Sequence, residues 1–451
     1  MPERLFGTDG IRGPAGLGAL SPPALARLGL AVARVVRARR DVGARALLGR
    51  DTRASGPATA AALTSGLLAG GVAVDDAGVL PTPAVALLTR TRRADLGVVV
   101  SASHNPWRDN GVKLLGPDGA KLDDAGEAAV EAAYRDAQLE AAVRPEECAA
   151  PRAAHTAAAA YERALLAEFR GTRLRGLHVV VDCAHGAQSA LAPRVLRRLG
   201  ARVTALHAAP DGRNINADCG ALHTETLRRT VRRAGAQLGI AFDGDADRLQ
   251  LADERGRLLD GDAVLAALAP RLLARRRLPH ATVVGTSMTN AALEAHLGAR
   301  GIRLVRTDVG DRNIVAEMAA HGYGLGGEPS GHLIVPRRGL LTGDALRAAL
   351  LCLRVLAEER SVASELASGY RPWPLEIVSL VVARKPALAT LPRASAAIAA
   401  AEERLGGAGR VVVRYSGTEP KLRVMVEARR ARDLRAALDP VVAALREEVC
   451  A

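Results

Sequence analysis

The sequence predicts an α/β protein of four domains, three α/β units followed by a smaller α+β unit, and three observations carry that prediction. The chain has 451 residues, too many for a single hydrophobic core. Short apolar runs bounded by Gly or polar residues alternate with stretches of helical periodicity, as in buried strands joined by crossover helices. After Tyr370-Arg371-Pro372-Trp373-Pro374 this alternation gives way to apolar strands and helices of a smaller unit. The breaks place the domains at 1–150, 151–255, 256–369 and 370–451.

In the first domain, Ser21-Pro22-Pro23 offers an N-cap and prolines for a first helical turn, and Leu25, Leu28, Val32, Val35 and Val36 then recur at helical spacing. Residues 46–48 and Leu96–Val100 read as buried strands. The Ala-rich stretch 140–160 reads as a linker leading into the second domain. There the pattern is βαβαβ: strand His178–Asp182, helix 187–199, strand 203–206, helix 224–234 and strand Leu238–Phe242. A third round gives strand 282–285, helix 291–300, strand 303–306, and helices at 310–321 and 344–359. Strands around 376–382 and 411–414, then helices, complete the chain.

Composition is 49% apolar and 24% charged, that of a folded globular protein. The stretch 344–357 is interrupted by Arg347 and Arg354, so no apolar run is long enough for a membrane span. The segment up to Asp9 has no basic region followed by an apolar one, and the expected location is the cytoplasm. Five cysteines, odd in number and without a C-x-x-C pair, fit reduced thiols. The net charge of +14 raises nucleic acid as a partner. Lysine, however, stands only at Lys113, Lys121, Lys385 and Lys421; the other basic residues are scattered arginines, and only 2% of residues are aromatic. A basic cleft for an anionic small substrate accounts for the charge as well.

Five stretches offer chemistry. In VVVSASHNPWRDNGVK (98–113) a buried strand ends in Ser101 and Ser103, where open α/β sheets gather ligands, although a capped turn also explains Ser, Asn and Pro there. In FDGDADR, directly after a predicted strand, Asp243, Asp245 and Asp247 alternate, so a loop curled around an ion presents three carboxylates. Oxygen ligands suit Mg²⁺, and without a cation the three charges repel. GGEPSGH carries Glu328, Ser330 and His332, which can exchange hydrogen bonds with hydroxyls; a structural turn explains the pattern equally. RYSGTEP sets Arg414 before Ser416, Gly417 and Thr418, suited to a phosphate dianion. FGTDGIRG places Arg12 in a glycine-flanked loop that alone reads as a turn.

Taken in order, SASHNP, DGDADR, GGExSGH and R-x-SGTEP, with the opening FGTDGIRG, resemble the α-D-phosphohexomutase superfamily and most closely its phosphoglucosamine mutase branch, from Leu5 to about Val426. The resemblance implies a four-domain phosphohexomutase architecture, with mixed sheets, around a central cleft. It implies that Ser103 is a phosphoserine, and that Asp243, Asp245 and Asp247 hold one Mg²⁺ per subunit with a phosphoserine oxygen of Ser103. Lys113 and Arg12 would act on proton transfer or charge, with Arg248 supporting them; Glu328, Ser330 and His332 would read the sugar, and Arg414, Ser416, Gly417 and Thr418 would hold the unreacting phosphate. The implied reaction interconverts glucosamine 6-phosphate and glucosamine 1-phosphate through glucosamine 1,6-bisphosphate, supplying UDP-N-acetylglucosamine. The alternatives are a phosphoglucomutase or phosphomannomutase on neutral hexose phosphates, and a non-catalytic sugar-phosphate binder; the latter predicts a missing serine or a broken aspartate triplet. Partners are then a small sugar phosphate, with no nucleic acid and no membrane, and a homodimer is left open. The fourth domain is expected to close over the cleft. Pro329, His185 and Ser287-Met288-Thr289-Asn290 depart from the usual branch pattern, which bears on sugar selectivity and leaves the phosphoryl machinery intact.

Overall fold

The computed structural model describes residues 4–7, 9–40, 43–136, 150–415 and 420–449. The first unit holds strands β1 (Ile11–Pro14), β2 (Arg45–Arg50), β3 (Ala73–Val79), β4 (Leu96–Val100), β5 (Asp109–Leu115) and β6 (Arg152–Ala153). They form one sheet in the order β1-β5-β4-β2-β3-β6, with β2 parallel to both neighbours and β5 antiparallel to β4 and β1. Its helices are α1 (Pro22–Arg39), α2 (Gly56–Ala69), α3 (Thr82–Thr91) and α4 (Asp124–Arg135). The reversal at β4–β5 is what turns the Ser103 loop back over the carboxyl edge of the sheet.

The second unit opens with α5 (Ala157–Glu168), which begins at the end of the stretch expected as linker, and continues β7 (His178–Asp182), α6 (Leu191–Arg198), β8 (Arg202–Leu206), α7 (Glu225–Ala234), β9 (Leu238–Phe242), β10 (Leu249–Asp253) and β11 (Leu258–Leu259). The sheet order is β11-β10-β9-β7-β8. Because β10 returns antiparallel beside β9, the sheet is mixed and the aspartate loop becomes the turn between them. Helix α6 starts later than its periodicity predicts: residues before Leu191 form turns against the aspartate loop, with Ala187 N donating to Gly244 O at 2.8 Å.

The third unit comprises α8 (Gly261–Ala274), β12 (Thr282–Thr286), α9 (Ala291–Gly298), β13 (Arg303–Thr307), α10 (Asp311–His321), β14 (Gly326–Gly327), β15 (Leu333–Ile334) and α11 (Ala345–Glu359), with sheet order β13-β12-β14-β15. The sequence pattern misses α8 because Ala263–Ala269 are all buried, which leaves no polar stripe to set a period. The fourth unit has β16 (Leu375–Val381), α12 (Pro392–Leu405), β17 (Gly409–Tyr415), β18 (Lys421–Ala428) and α13 (Ala431–Val449), an antiparallel sheet β16-β18-β17 backed by two helices.

One contiguous apolar core runs through the first three units, joining Leu87, Phe169, Leu268 and Leu350. The fourth unit keeps its own core around Leu422, Val424 and Leu438. It is tied to the third by a few polar contacts: Asn290 bonds both N and O of Trp373, at 3.0 and 3.1 Å, Glu427 accepts from Ala291 N at 3.0 Å, and Arg410 donates to Thr289 O. Among the described residues, no helix is long and apolar enough to cross a membrane.

Candidate active site

Ser103 stands just beyond the end of β4, fully buried, with φ +52. A left-handed serine is held only where its surroundings over-determine it, and here they do. Its N–H donates to Ser101 Oγ at 2.8 Å, and Ser101 Oγ donates to Asp51 Oδ2 at 2.6 Å. Arg53, also buried, pairs its Nε with the same Asp51 oxygen at 2.9 Å. Its two remaining nitrogens donate to the carbonyls of Ser103, Asn105, Pro106 and Asp109, so one guanidinium gathers the whole loop. Asn216 of the second unit adds bonds to the carbonyls of Ser103 and Asn105.

The aspartate loop closes onto this turn. Ser103 Oγ donates to Asp243 Oδ2 at 2.5 Å. A Cβ at Gly244 would lie 2.6 Å from Ser103 O, so only glycine permits the approach. Asp243, Asp245 and Asp247 are buried with ligand oxygens within 4.8 Å of one another. Burial, then the charges of Asp247 and Asp245, push the Asp243 carboxyl well above the usual carboxylate range. Asp247 is held low: burial opposes ionisation, but Lys113 and His332 outweigh it. Lys113 Nζ donates to Asp245 Oδ2 at 2.9 Å and Asp247 Oδ2 at 3.0 Å, while Thr82 Oγ1, at the start of α3, donates to Asp245 Oδ2 at 2.6 Å. The other oxygens, Asp245 Oδ1 and Asp247 Oδ1, are buried with no hydrogen-bond partner. Two orphaned carboxylate oxygens in an all-oxygen set fit a hard divalent cation.

Charge converges on this loop from several elements. Arg12 on β1 pairs with Asp9, which also faces Lys113 at 3.2 Å and Lys121. Lys121 reaches Asp311 at 2.6 Å, the first residue of α10, and so links the first unit to the third. Arg312 adds a second link, to Glu127 and Asp124 on α4. Burial works against the charge on Lys113, yet Asp245, Asp247 and Asp9 raise its pKa well above the usual lysine value. Burial, then Arg248 and Arg12, push His104 down to about 4; its Nδ1 lies 3.3 Å from Ser103 Oγ.

From the third unit, His332 lies between Asp311 (Nε2 to Oδ2, 3.3 Å) and Asp247 (Nδ1 to Oδ1, 3.8 Å). Its backbone pairs with Arg248 as an isolated bridge, so the sugar-loop candidates and the aspartate loop are stitched together. Glu328 accepts from Gly310 N at 3.1 Å and from Ser330 Oγ at 3.4 Å. Arg414 lies opposite Arg423 across the β17–β18 pair; burial and the Arg423 charge lower its pKa, against Asp308 and Glu328 of the third unit. Ser416, Gly417 and Thr418 lie outside the described residues.

The geometry thus gathers Ser103, Asp243, Asp245, Asp247, Lys113, Arg12, Arg248 and His332 around one loop pair, with Glu328 and Ser330 beyond the Arg248–His332 bridge and Arg414 across from Glu328. Sequence reasoning missed Asp51, Arg53, Thr82, Lys121, Asn216 and Asp311. Asp9 stood in the FGTDGIRG stretch unremarked. One signal was available for Lys121: in a chain that otherwise uses arginine, a retained lysine marks a place where a compact ammonium is needed.

Four family models cover the chain: phosphoglucomutase/phosphomannomutase alpha/beta/alpha domain I over 3–141, domain II over 159–256, domain III over 260–372, and the C-terminal domain over 377–444. A phosphoglucosamine mutase from Anaeromyxobacter dehalogenans is 45% identical, with 100% of each chain covered. The chain belongs to the phosphoglucosamine mutase family. As such it is an isomerase, one that moves a phosphoryl group within its substrate. A phosphoglucomutase/phosphomannomutase family protein from Burkholderia thailandensis has the same fold, with a TM-score of 0.81, 25% identity, and 99% of this chain and 97% of that one covered. An Aspergillus fumigatus N-acetylphosphoglucosamine mutase, solved with GlcNAc-6P and magnesium, has a TM-score of 0.65 at 20% identity, with 98% and 96% covered. In this phosphoglucosamine mutase family member, three α/β units and a smaller fourth surround the site as the sequence predicts.

Proposed function

We propose that the chain interconverts glucosamine 6-phosphate and glucosamine 1-phosphate by way of a phosphorylated Ser103. The contact that carries this reading is Ser103 Oγ on Asp243 Oδ2 at 2.5 Å, which sets the serine at the mouth of the carboxylate triad. Asp243, Asp245 and Asp247 would hold Mg²⁺, and the magnesium in the fungal structure supports that choice. When bound, the cation supplies charge neutralisation for the phosphoryl oxygens.

The chain's own residues divide the remaining work. In the first half-reaction the Ser103–phosphate bond breaks as a bond from phosphorus to the free sugar hydroxyl forms, giving glucosamine 1,6-bisphosphate. The bisphosphate turns over, and its other phosphate returns to Ser103. Lys113 stays charged in its carboxylate cage, so it stabilises charge and does not take the hydroxyl proton. The proton of the sugar hydroxyl ends on the departing Ser103 Oγ, and neutral His104, whose Nδ1 lies 3.3 Å from that oxygen, can exchange a hydrogen bond with it without adding charge. Arg12 and Arg248 face the same region. Glu328, Ser330 and His332 would read the sugar, and Arg414 with Ser416, Gly417 and Thr418 would hold the distal phosphate. The separate core of the fourth unit and its few polar ties to the third support a closure of that unit over the cleft, which excludes water from the phosphoserine.

The same reading takes the domains as 1–150, 151–255, 256–369 and 370–451. It places the reaction in the cytoplasm, where Cys183, Cys219 and Cys352 remain free thiols. Turnover on glucosamine, glucose and mannose 6-phosphates tests the substrate: the reading expects kcat/KM for the amino sugar to exceed the others by at least tenfold, and equal values would instead give a general hexose mutase.

A further inference from the structure

We infer that a second anion site lies where the first three units meet, at the opposite end of α3 from the aspartate loop. The α3 helix presents Thr82 to Asp245 at its start; its last turns carry Leu88 and Arg90 into a cavity of about 690 Å³. The opposite walls come from α5 and from the 336–340 hairpin and α11 of the third unit. Five arginines line it, Arg90, Arg277, Arg337, Arg338 and Arg347, against a single carboxylate, Glu168.

That carboxylate is already used. Glu168 accepts from Arg347 Nε at 2.7 Å and pairs with Arg337 Nε at 2.9 Å. Arg337 Nη2 is spent on Ala164 O at 2.7 Å, whereas its Nη1 is buried with no hydrogen-bond partner. Among the described residues, no carboxylate lies within 4 Å of Arg90, Arg277 or Arg338. The hairpin is shaped to bring these groups close. Gly339 has φ +83, and a Cβ there would lie 3.3 Å from Arg90 Nη2, so the guanidinium lies directly against the turn, next to Arg338. Arg90, Arg277 and Arg338, gathered on this concavity with no carboxylate of their own, repel one another and, with the open Nη1 of Arg337, present forked donors to a multiply charged oxyanion. The volume admits a small phosphorylated metabolite bearing two or more negative charges, and Leu88 and Leu340 offer apolar wall for its carbon portion. With no aromatic side chain in its lining, the cavity has no platform for a nucleobase.

The test is calorimetric titration of the full chain with inorganic pyrophosphate in metal-free buffer, on wild type, Arg90→Gln/Arg338→Gln and Arg414→Gln. Among the described residues, neither Arg90 nor Arg338 makes a side-chain hydrogen bond or ion pair, so the double variant removes charge without breaking a described contact. Wild type is expected to bind at two sites. The double variant should weaken one at least tenfold while turnover on sugar phosphate is kept, and Arg414→Gln should weaken only the other. The inference is overturned if the double variant titrates as wild type does, or if Arg414→Gln alone abolishes all pyrophosphate binding.

Discussion

Arg53 lies beneath the Ser103 turn, its Nη2 donating to Ser103 O at 3.0 Å while its Nε pairs with Asp51 at 2.9 Å. All its donors are directed at a single loop or at the carboxylate beside it, so the position of the Ser103 hydroxyl rests on the planar fork of a buried residue. Arg53→Lys keeps the charge and loses the fork. It should lower kcat by about 100-fold, the scale on which ångström misplacement acts, with KM little changed. A kcat within twofold of wild type would show the loop to be held by its other bonds.

The aspartate triad predicts separable effects on folding and on metal. Asp243→Asn keeps the shape, and its amide can still accept from Arg248 N, as Asp243 Oδ1 does at 3.1 Å. The variant should fold as stably as metal-free wild type. Mg²⁺ should raise the melting temperature of wild type by mass action and leave the variant's unmoved. Turnover should fall by about 100- to 1,000-fold, the scale of one lost transition-state charge stabiliser. Thermal melts with and without Mg²⁺ check this.

Lys121 ties Asp9 to Asp311 across the cleft, with its side chain 18% exposed. Lys121→Met leaves Asp9 to Arg12 and Lys113 and Asp311 to His332, and should cost less than the ~3–5 kcal/mol seen for a fully broken buried pair, because the other partners and solvent offset part of the loss. Denaturant unfolding of the variant measures it, and a change below about 0.5 kcal/mol would mark the bridge as a surface pair.

Asn290 pins the entry to the fourth unit: it bonds Trp373 N and O, and its Oδ1 also caps α9 through Ala292 N at 3.0 Å. Loss of the cap and of two backbone bonds in Asn290→Ala should cost about 2–3 kcal/mol. Because Arg414 rides on that unit, KM for the sugar phosphate should rise more than kcat falls. Trp373 emission, read in a Trp107→Phe background, should shift to the red as the linker loosens.

Asp262 gives a pH dependence. Burial, then the charge of Asp260, raises its carboxyl to about 8 in the folded chain. Folding therefore takes up a proton between the unfolded value and about 8. The contribution of Asp262 is full below the unfolded carboxylate pKa and is lost as pH rises toward about 8. Asp262→Asn should flatten the decline of melting temperature between pH 5 and 8; an unchanged slope would mean that the carboxyl ionises normally.

Much of the candidate site was legible because the groups the fold gathers there sit in contiguous motifs. Ser103 and the three aspartates each follow a strand end and need only a few residues of sequence to declare themselves. The support was not legible. Arg53, Asn216, Thr82 and Asp311 come from loops and helix starts in all of the first three units, and only the folded chain brings them to the same two loops. The fold shows the same division. Strands His178–Asp182 and Leu238–Phe242 are buried throughout, their apolar runs end at polar residues, and their limits agree with the structure. Helix α8 is buried on all sides and carries no period, while α5 hid in an alanine-rich stretch whose few apolar anchors, Tyr161 and Leu165, find their partners in other units.

The most direct measurement of the central claim is peptide-resolved mass spectrometry of the full chain after incubation with glucosamine 1,6-bisphosphate and Mg²⁺, beside Ser103→Ala. A single phosphate on Ser103, absent from the variant and discharged on adding glucosamine 6-phosphate, is the predicted result. A phosphate on Ser101 or elsewhere, or continued turnover by Ser103→Ala, would contradict the account.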